Sequence, residues 1–187
     1  VAGTRVAVLG GGDLAVDCLR TALRLGAREA IGLYRRDEEE LPCVRSEYDN
    51  AVEEGARFVF RVTPVALLGN DRGEVTGLRL ARTALGAPEA SGRRAVTSLP
   101  GTEFEIPADR VFVALGFDPQ PLADENPFGH LARNEQRGLR VDENLMTSVP
   151  GIFAGGDLVR GPGTVLNMVR DARRAAEGME HYLKARR

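Results

Sequence analysis

The chain has 187 residues, room for one α/β domain and part of a second, and enough to bury a substantial core. Its 25 basic and 27 acidic residues nearly cancel, leaving −2 at neutral pH, and arginines alternate with acids around a single lysine, Lys184, which excludes the basic footprint of a nucleic-acid binder. No apolar run is long enough to span a bilayer, no signal peptide is recognisable, and the only two cysteines form no C-x-x-C pair, so a cytoplasmic protein with no metal site and no nucleic-acid or membrane partner is expected.

The chain opens without an initiator methionine and runs straight into a strand, as expected of a segment cut from a longer polypeptide at a domain edge. Residues 6–9 are a short apolar strand entering Gly10-Gly11-Gly12-Asp13-Leu14-Ala15, the pattern G-x-G-x-x-A. Gly10 permits a tight turn, Gly12 lets a pyrophosphate approach the backbone, and Ala15 lets the helix pack closely on the strand. Val16, Leu19, Leu23 and Leu25 form the apolar stripe of that helix, Gly26 stands at its C-terminal cap, and residues 30–34 read as a second strand. Together these make a βαβ opening, against the alternative of a glycine-rich hairpin loop.

The end of the second strand selects the dinucleotide. An NAD site places an acid there to hold the ribose 2′-hydroxyl. This chain has Tyr34-Arg35-Arg36, and two guanidinium groups suit a 2′-phosphate, so NADPH is the expected cofactor. The alternative is that Arg35 and Arg36 are a solvated loop compensated by the acids at 37–40.

A helix over 44–54, ended by Gly55, and a third strand over 57–62 follow. Thereafter residues 65–68, 74–82 and 104–106 alternate apolar with polar, separated by the turn 70–73 and a Gly, Pro and Ser-rich segment, 86–101, which predicts a small antiparallel β-meander. A buried strand over 111–115 ends in Gly116-Phe117-Asp118-Pro119, where the chain leaves the domain, giving an expected division into 1–117 and 118–187. Cys18, in the first helix, and Cys43, in a loop, are expected to be packing thiols, and His130 and His181 to be surface residues.

A second glycine site lies near the end. An apolar strand through Ile152-Phe153-Ala154 runs into Gly155-Gly156-Asp157, and after a loop over 158–163 a helix begins near Thr164 and continues to about residue 185. A carboxylate at a strand end can accept hydrogen bonds from a polyol, and the helix N-terminus can face an electron-rich ring. Asp157 as a plain turn or capping residue is the alternative.

With both sites present, the chain resembles the carboxyl-terminal part of the small (β) subunits of NADPH-dependent glutamate synthases, within the two-dinucleotide-binding flavoproteins that include the amino-terminal half of dihydropyrimidine dehydrogenase. The matching stretches are 10–18, 33–38, 53–55, 82–86, 108–110 with 114–117, and 153–161. The resemblance implies a Rossmann-like NAD(P)-binding domain with a small β-meander, followed by the returning half of an FAD-binding domain. It assigns Gly10, Gly11, Gly12, Asp13, Leu14, Ala15, Arg35, Arg36, Leu115 and Gly116 to NADPH, and Gly156, Asp157, Thr164 and Val165 to a partial FAD site. Leu14 stands where the family commonly has threonine, and Asn167, Met168 and Asp171-Ala172-Arg173 replace a more typical small-residue and Gly-Arg pattern.

In the intact parent the resemblance implies hydride transfer from nicotinamide C4 to flavin N5, then single-electron steps through iron–sulfur centres, held outside this chain, to a large (α) subunit and glutamate synthesis. The cofactors carry that chemistry, so no catalytic acid, base or nucleophile is expected here. Alternatives are the same architecture serving another acceptor, such as a ferredoxin or a pyrimidine-reducing domain, and a non-enzymatic nucleotide-binding or docking module. The chain lacks a second G-x-G-x-x-G for FAD pyrophosphate, so by itself it is expected to be inactive and colourless and to self-associate through uncovered apolar surface.

Overall fold

The computed structural model describes residues 1–89, 92–117, 122 and 126–186. By its internal contacts the chain divides into two units, Val1–Leu115 and Gly116–Arg187.

The first unit is built on β1 (Arg5–Leu9), whose side chains alternate between two buried faces. Val6 and Val8 pack with Ala15, Val16 and Leu19 of α1 (Asp13–Arg24), while Ala7 and Leu9 pack on the opposite side with Leu33, Val62, Leu78 and Leu80. A strand buried on both faces belongs in a parallel sheet covered on both sides. Accordingly β1 lies between β2 (Glu29–Tyr34) and β8 (Arg110–Val113), and β3 (Arg57–Phe60) completes the parallel order β3-β2-β1-β8. α1 and α2 (Arg45–Glu53) end alike. Gly26 at φ 81° and Gly55 at φ 101° occupy the left-handed region, with their N–H groups donating to Leu23 O and Val52 O and the next residues reaching Ala22 O and Ala51 O.

The other face of the parallel sheet is covered by an antiparallel one. It contains β4 (Val62–Gly69), β5 (Val75–Pro88) and β6 (Arg94–Ser98) in that order, with β7 (Phe104–Pro107) also paired to β5. The expected meander is therefore present, but larger. β5 continues to Pro88 and β6 lies inside the segment expected to be turn, whose residues 90 and 91 fall outside those described.

Three further expectations need correction. The third strand does not reach residue 62, because Arg61 adopts φ 55° and turns the chain, so Val62 opens the meander instead. The strand near 111–115 is not buried: it stops at Val113 on the sheet edge, where Val113 is 70% exposed. Leu25 is exposed rather than part of the α1 stripe, which Ala15 and Ala22 complete.

The second unit has little regular structure. Leu131, Leu139 and Val159 form its small core, and α4 (Val165–Lys184) is its main element. Gly178 lies in mid-helix because a Cβ there would run into the Asn144 carbonyl, and Tyr182 meets Phe153 edge-on. The expected strand before Gly155 is only isolated antiparallel bridges, Val141 with Thr147 and Met146 with Phe153, since residues 142–152 turn back on themselves. The expected loop after Asp157 begins instead as a single helical turn, α3 (Asp157–Arg160). Asp118 and Pro119 of the expected exit turn lie outside the described residues.

Candidate functional site

The glycine turn joins β1 to α1, and its three glycines are glycine for different reasons. Gly10 has φ 140°, and a Cβ there would sit 2.9 Å from the Ala114 carbonyl carbon and closer still to its oxygen. Gly11 is pressed by side chains: a Cβ would come within 2.7 Å of both the Leu41 side chain and the Tyr34 ring. Gly12 is constrained by neither. Its backbone is ordinary extended, φ −83° and ψ 177°, and the nearest atom to an added Cβ is Pro42 Cγ at 4.0 Å. Among the described residues nothing requires glycine at 12.

Gly12 is also the N-cap of α1, with no side-chain cap; Ala15 N–H donates to Gly12 O at 2.9 Å, and the Asp13 and Leu14 N–H groups of the first turn keep their outward hydrogen-bonding capacity. Asp13 is committed elsewhere, its Oδ1 accepting from Val44 N at 2.8 Å. Ala15 is fully buried, as close packing of helix on strand demands. Leu14 points its side chain to the surface, 49% exposed, where it lines an apolar hollow of about 290 Å³ with Leu25 and Phe112.

Arg35 and Arg36 face opposite ways. Arg35 is exposed, and its carbonyl accepts from Thr83 Oγ1 at 2.8 Å. Arg36 is 3% exposed and donates through Nε to Arg94 O at 3.0 Å, yet its buried Nη1 has no hydrogen-bond partner among the described residues. A buried guanidinium nitrogen without an acceptor is costly in a finished fold. The acids expected to offset this pair are largely taken by other residues. Asp37 binds Arg61 (Nη2 to Oδ2, 2.8 Å) and Arg94 (2.9 Å), and Glu40 binds Arg94 at 3.0 Å while lying 4.0 Å from Arg36 Nε. These contacts hold both carboxyls below the usual range, Asp37 chiefly through Arg61 and Glu40 chiefly through Arg94. Arg61 and Arg94 were not expected at this site from the sequence; the β-branched pair Val96-Thr97 is the local signal for β6.

Leu115 and Gly116 stand where the first unit ends; Leu115 is 69% exposed and Gly116 takes φ 93°.

In the second unit, Gly156 at φ 68° turns the chain into Asp157, whose side chain is exposed. The turn is fixed from beneath by Asp171, which is 1% exposed. Its Oδ2 accepts from Gly156 N (2.9 Å) and Arg160 Nε (2.7 Å), and its Oδ1 from Arg160 Nη2 (2.6 Å). The Arg160 guanidinium, then the Gly156 N–H, bring the Asp171 carboxyl down to about 2. A Cβ on Gly155 would press to 2.9 Å from Asp171 Cβ, which accounts for that glycine. Thr164 caps α4 by accepting from Asn167 N at 3.4 Å, and Val165 is 72% exposed beside it. Asp171 and Arg160 therefore position this turn, a role the sequence did not disclose.

Cys18 and Cys43 both pack against the α1 side of the core, and burial raises both thiols. Among the described residues no group of His, Cys, Asp and Glu is placed to hold a metal ion, and no helix is long and apolar enough to cross a membrane.

The sequence profile of the pyridine nucleotide-disulphide oxidoreductases matches residues 2–172. Among curated proteins, the chain is 42% identical over 187 residues to the small chain of glutamate synthase [NADPH] from Escherichia coli K12, covering 97% of this chain and 39% of that one. It is also 42% identical over 184 residues to the β subunit of NADP(+)-dependent formate dehydrogenase from Moorella thermoacetica, covering 97% of this chain and 25% of that one. It thus spans well under half the length of either relative. Among solved structures, a mutant form of FprA from Mycobacterium tuberculosis superposes with a TM-score of 0.81 at 18% identity, over 98% of this chain and 54% of that one, which shows the fold.

Proposed function

Because the chain belongs to the pyridine nucleotide-disulphide oxidoreductase family, we propose that it is the NADPH-binding part, with a portion of the FAD-binding part, of a flavin-dependent oxidoreductase of the glutamate synthase small-chain type. The observation that carries the reading is Gly12. The fold has space for a side chain there and no backbone strain to relieve, so the close approach of a ligand is what a glycine at this position serves. The uncapped α1 N-terminus supplies the N–H groups such a pyrophosphate needs.

NADPH rather than NADH follows from the end of β2. Arg35 is exposed to meet a phosphate, and the orphaned Arg36 Nη1 is a donor that a 2′-phosphate oxygen would satisfy with a small side-chain movement. Asp37 and Glu40, two of the acids that follow that end, are ion-paired with Arg94 rather than free to accept from a ribose 2′-hydroxyl. Gly156, Asp157, Thr164 and Val165 are the residues that would meet the ribityl and ring end of FAD, with Asp157 as acceptor. When bound, the nicotinamide supplies a hydride and the flavin accepts it. This chain's residues would bind, orient and neutralise charge.

Electrons would pass on through iron–sulfur centres outside this chain, which has only two cysteines, to a large subunit. The equal 42% identity to a glutamate synthase chain and a formate dehydrogenase chain supports a second reading in which the same module serves another acceptor. The test is calorimetric titration of NADPH and NADH into the full chain. NADPH is expected to bind more tightly, with a preference that shrinks as salt rises and disappears in an Arg35→Ala, Arg36→Ala variant. Equal affinities in the parent chain would refute the assignment.

A further inference from the structure

The loop after β2 does not hold itself in place. Thr83 on β5 donates to Arg35 O through Oγ1 (2.8 Å) and to Arg61 O through its N–H (2.9 Å), and Arg61 N–H donates to Arg36 O (3.2 Å). From β6, Arg94 accepts Arg36 Nε on its carbonyl and grips Asp37 and Glu40 with its guanidinium. Arg93 Nη2 donates to Tyr34 OH (2.7 Å), which donates to Glu40 O (2.8 Å), and the Tyr34 ring lies against Gly11. The left-handed backbone of Arg61, φ 55°, is held at the centre of this web. Strain of that kind persists where surroundings over-determine it, and it clusters at working sites.

We propose that the β5–β6 hairpin is the arm that sets 2′-phosphate selectivity, with Arg94 as a positioning residue that keeps Glu40 occupied, as Arg61 together with Arg94 does Asp37, so that Arg35 and Arg36 remain available to the phosphate. The proposal rests on the NADPH reading above. Its logic is electrostatic. Glu40 lies 4.0 Å from Arg36 Nε and Asp37 is next in the chain. Without Arg94, the Glu40 carboxylate faces Arg36 alone, takes it as counter-ion, and leaves negative charge beside the site of an incoming dianion. A ligand with only a 2′-hydroxyl has no charge for that carboxylate to repel, and the hydroxyl can donate to it, so its binding is not weakened.

The experiment measures NADPH and NADH dissociation constants for the full chain and four variants. Arg94→Ala is expected to lower the preference for NADPH over NADH by roughly 3- to 10-fold, through a larger NADPH dissociation constant with NADH binding not weakened, the scale of one charge pair left uncompensated near the surface. Arg94→Lys, which keeps the charge without the fork, should lose less. Adding Glu40→Gln to Arg94→Ala should restore most of the ratio, because the competing carboxylate is gone. An unchanged ratio in Arg94→Ala overturns the proposal, as does equal weakening of both nucleotides, which marks a merely structural role, or failure of the Glu40→Gln rescue. Arg35→Ala separates the two levels of inference. If it leaves the preference intact, the NADPH site itself is misassigned; if it removes the preference while Arg94→Ala does not, the arm alone fails.

Discussion

Replacing Asp171 by asparagine tests how the turn at Gly156 is held. The parent carboxylate accepts three hydrogen bonds, one from Gly156 N and two from Arg160. The asparagine oxygen can keep two of them, but its NH2 then faces an Arg160 donor. A carboxyl near 4 in the unfolded chain and at about 2 in the folded one is worth about 2–3 kcal/mol at pH 7. Arg160, 49% exposed, can turn to water in the variant, which cuts the loss to about 1–2 kcal/mol. Because the folded value is depressed, the stabilisation is fully present above about pH 4 and is lost as pH falls toward 2. Denaturant unfolding of parent and variant should therefore differ at pH 7, by about half as much near pH 3, and converge toward pH 2, and the Gly156 amide should lose hydrogen-exchange protection in the variant. A difference under about 0.3 kcal/mol at pH 7, or one that does not shrink with acidity, would refute this account.

Gly10 and Gly12 should separate cleanly. Gly10→Ala, strained in φ and driven into the Ala114 carbonyl, should cost about 2–4 kcal/mol of stability by thermal or denaturant unfolding. Gly12→Val should cost about 1 kcal/mol or less but abolish measurable NADPH binding; a variant that binds normally places the phosphate loop elsewhere. The 187-residue chain should show no stoichiometric flavin absorbance after purification, since Asp157 and the start of α4 alone must offset the entropy of fixing FAD. It should also self-associate through exposed Val113, Leu115, Val165 and Leu166; a monomer in sedimentation at micromolar concentration would count against that.

The parts of the fold legible in the sequence are those whose cause is local. β1, α1 and β2 follow from an apolar run, a helical stripe and a capping glycine within one short window, and α4 from its periodicity and Thr164 cap. Errors arose where a partner distant in sequence decides. Arg57-Phe58-Val59-Phe60-Arg61-Val62 has uniform strand character, and only the hydrogen bonds of Arg61 to Arg36 and Thr83 explain why the chain turns at 61. β6 was hidden by neighbouring Gly, Pro and Ser, although it pairs along β5 from Thr83 to Pro88. Val111, Phe112 and Val113 read as buried because they are apolar, whereas being at a sheet edge leaves two of them open.

The candidate site shows the same division at single residues. Gly10 and Gly12 are identical letters in one motif, yet the first is set by the crossing of β8's end and the second by none of the described residues, a distinction that needs coordinates. Arg35 and Arg36 are likewise adjacent and identical, but in the bend after β2 one is exposed and the other is buried, where its fate depends on Arg94, 58 residues further on. A motif thus indicates which ligand a turn is built for, while selectivity between two near-identical ligands depends on how surrounding charges are paired. That pairing is made by Arg61, just ahead of β4, and by Arg94 of β6, both outside the dinucleotide motif, so two chains with the same G-x-G-x-x-A and Arg-Arg letters can differ in cofactor preference through residues of this kind alone.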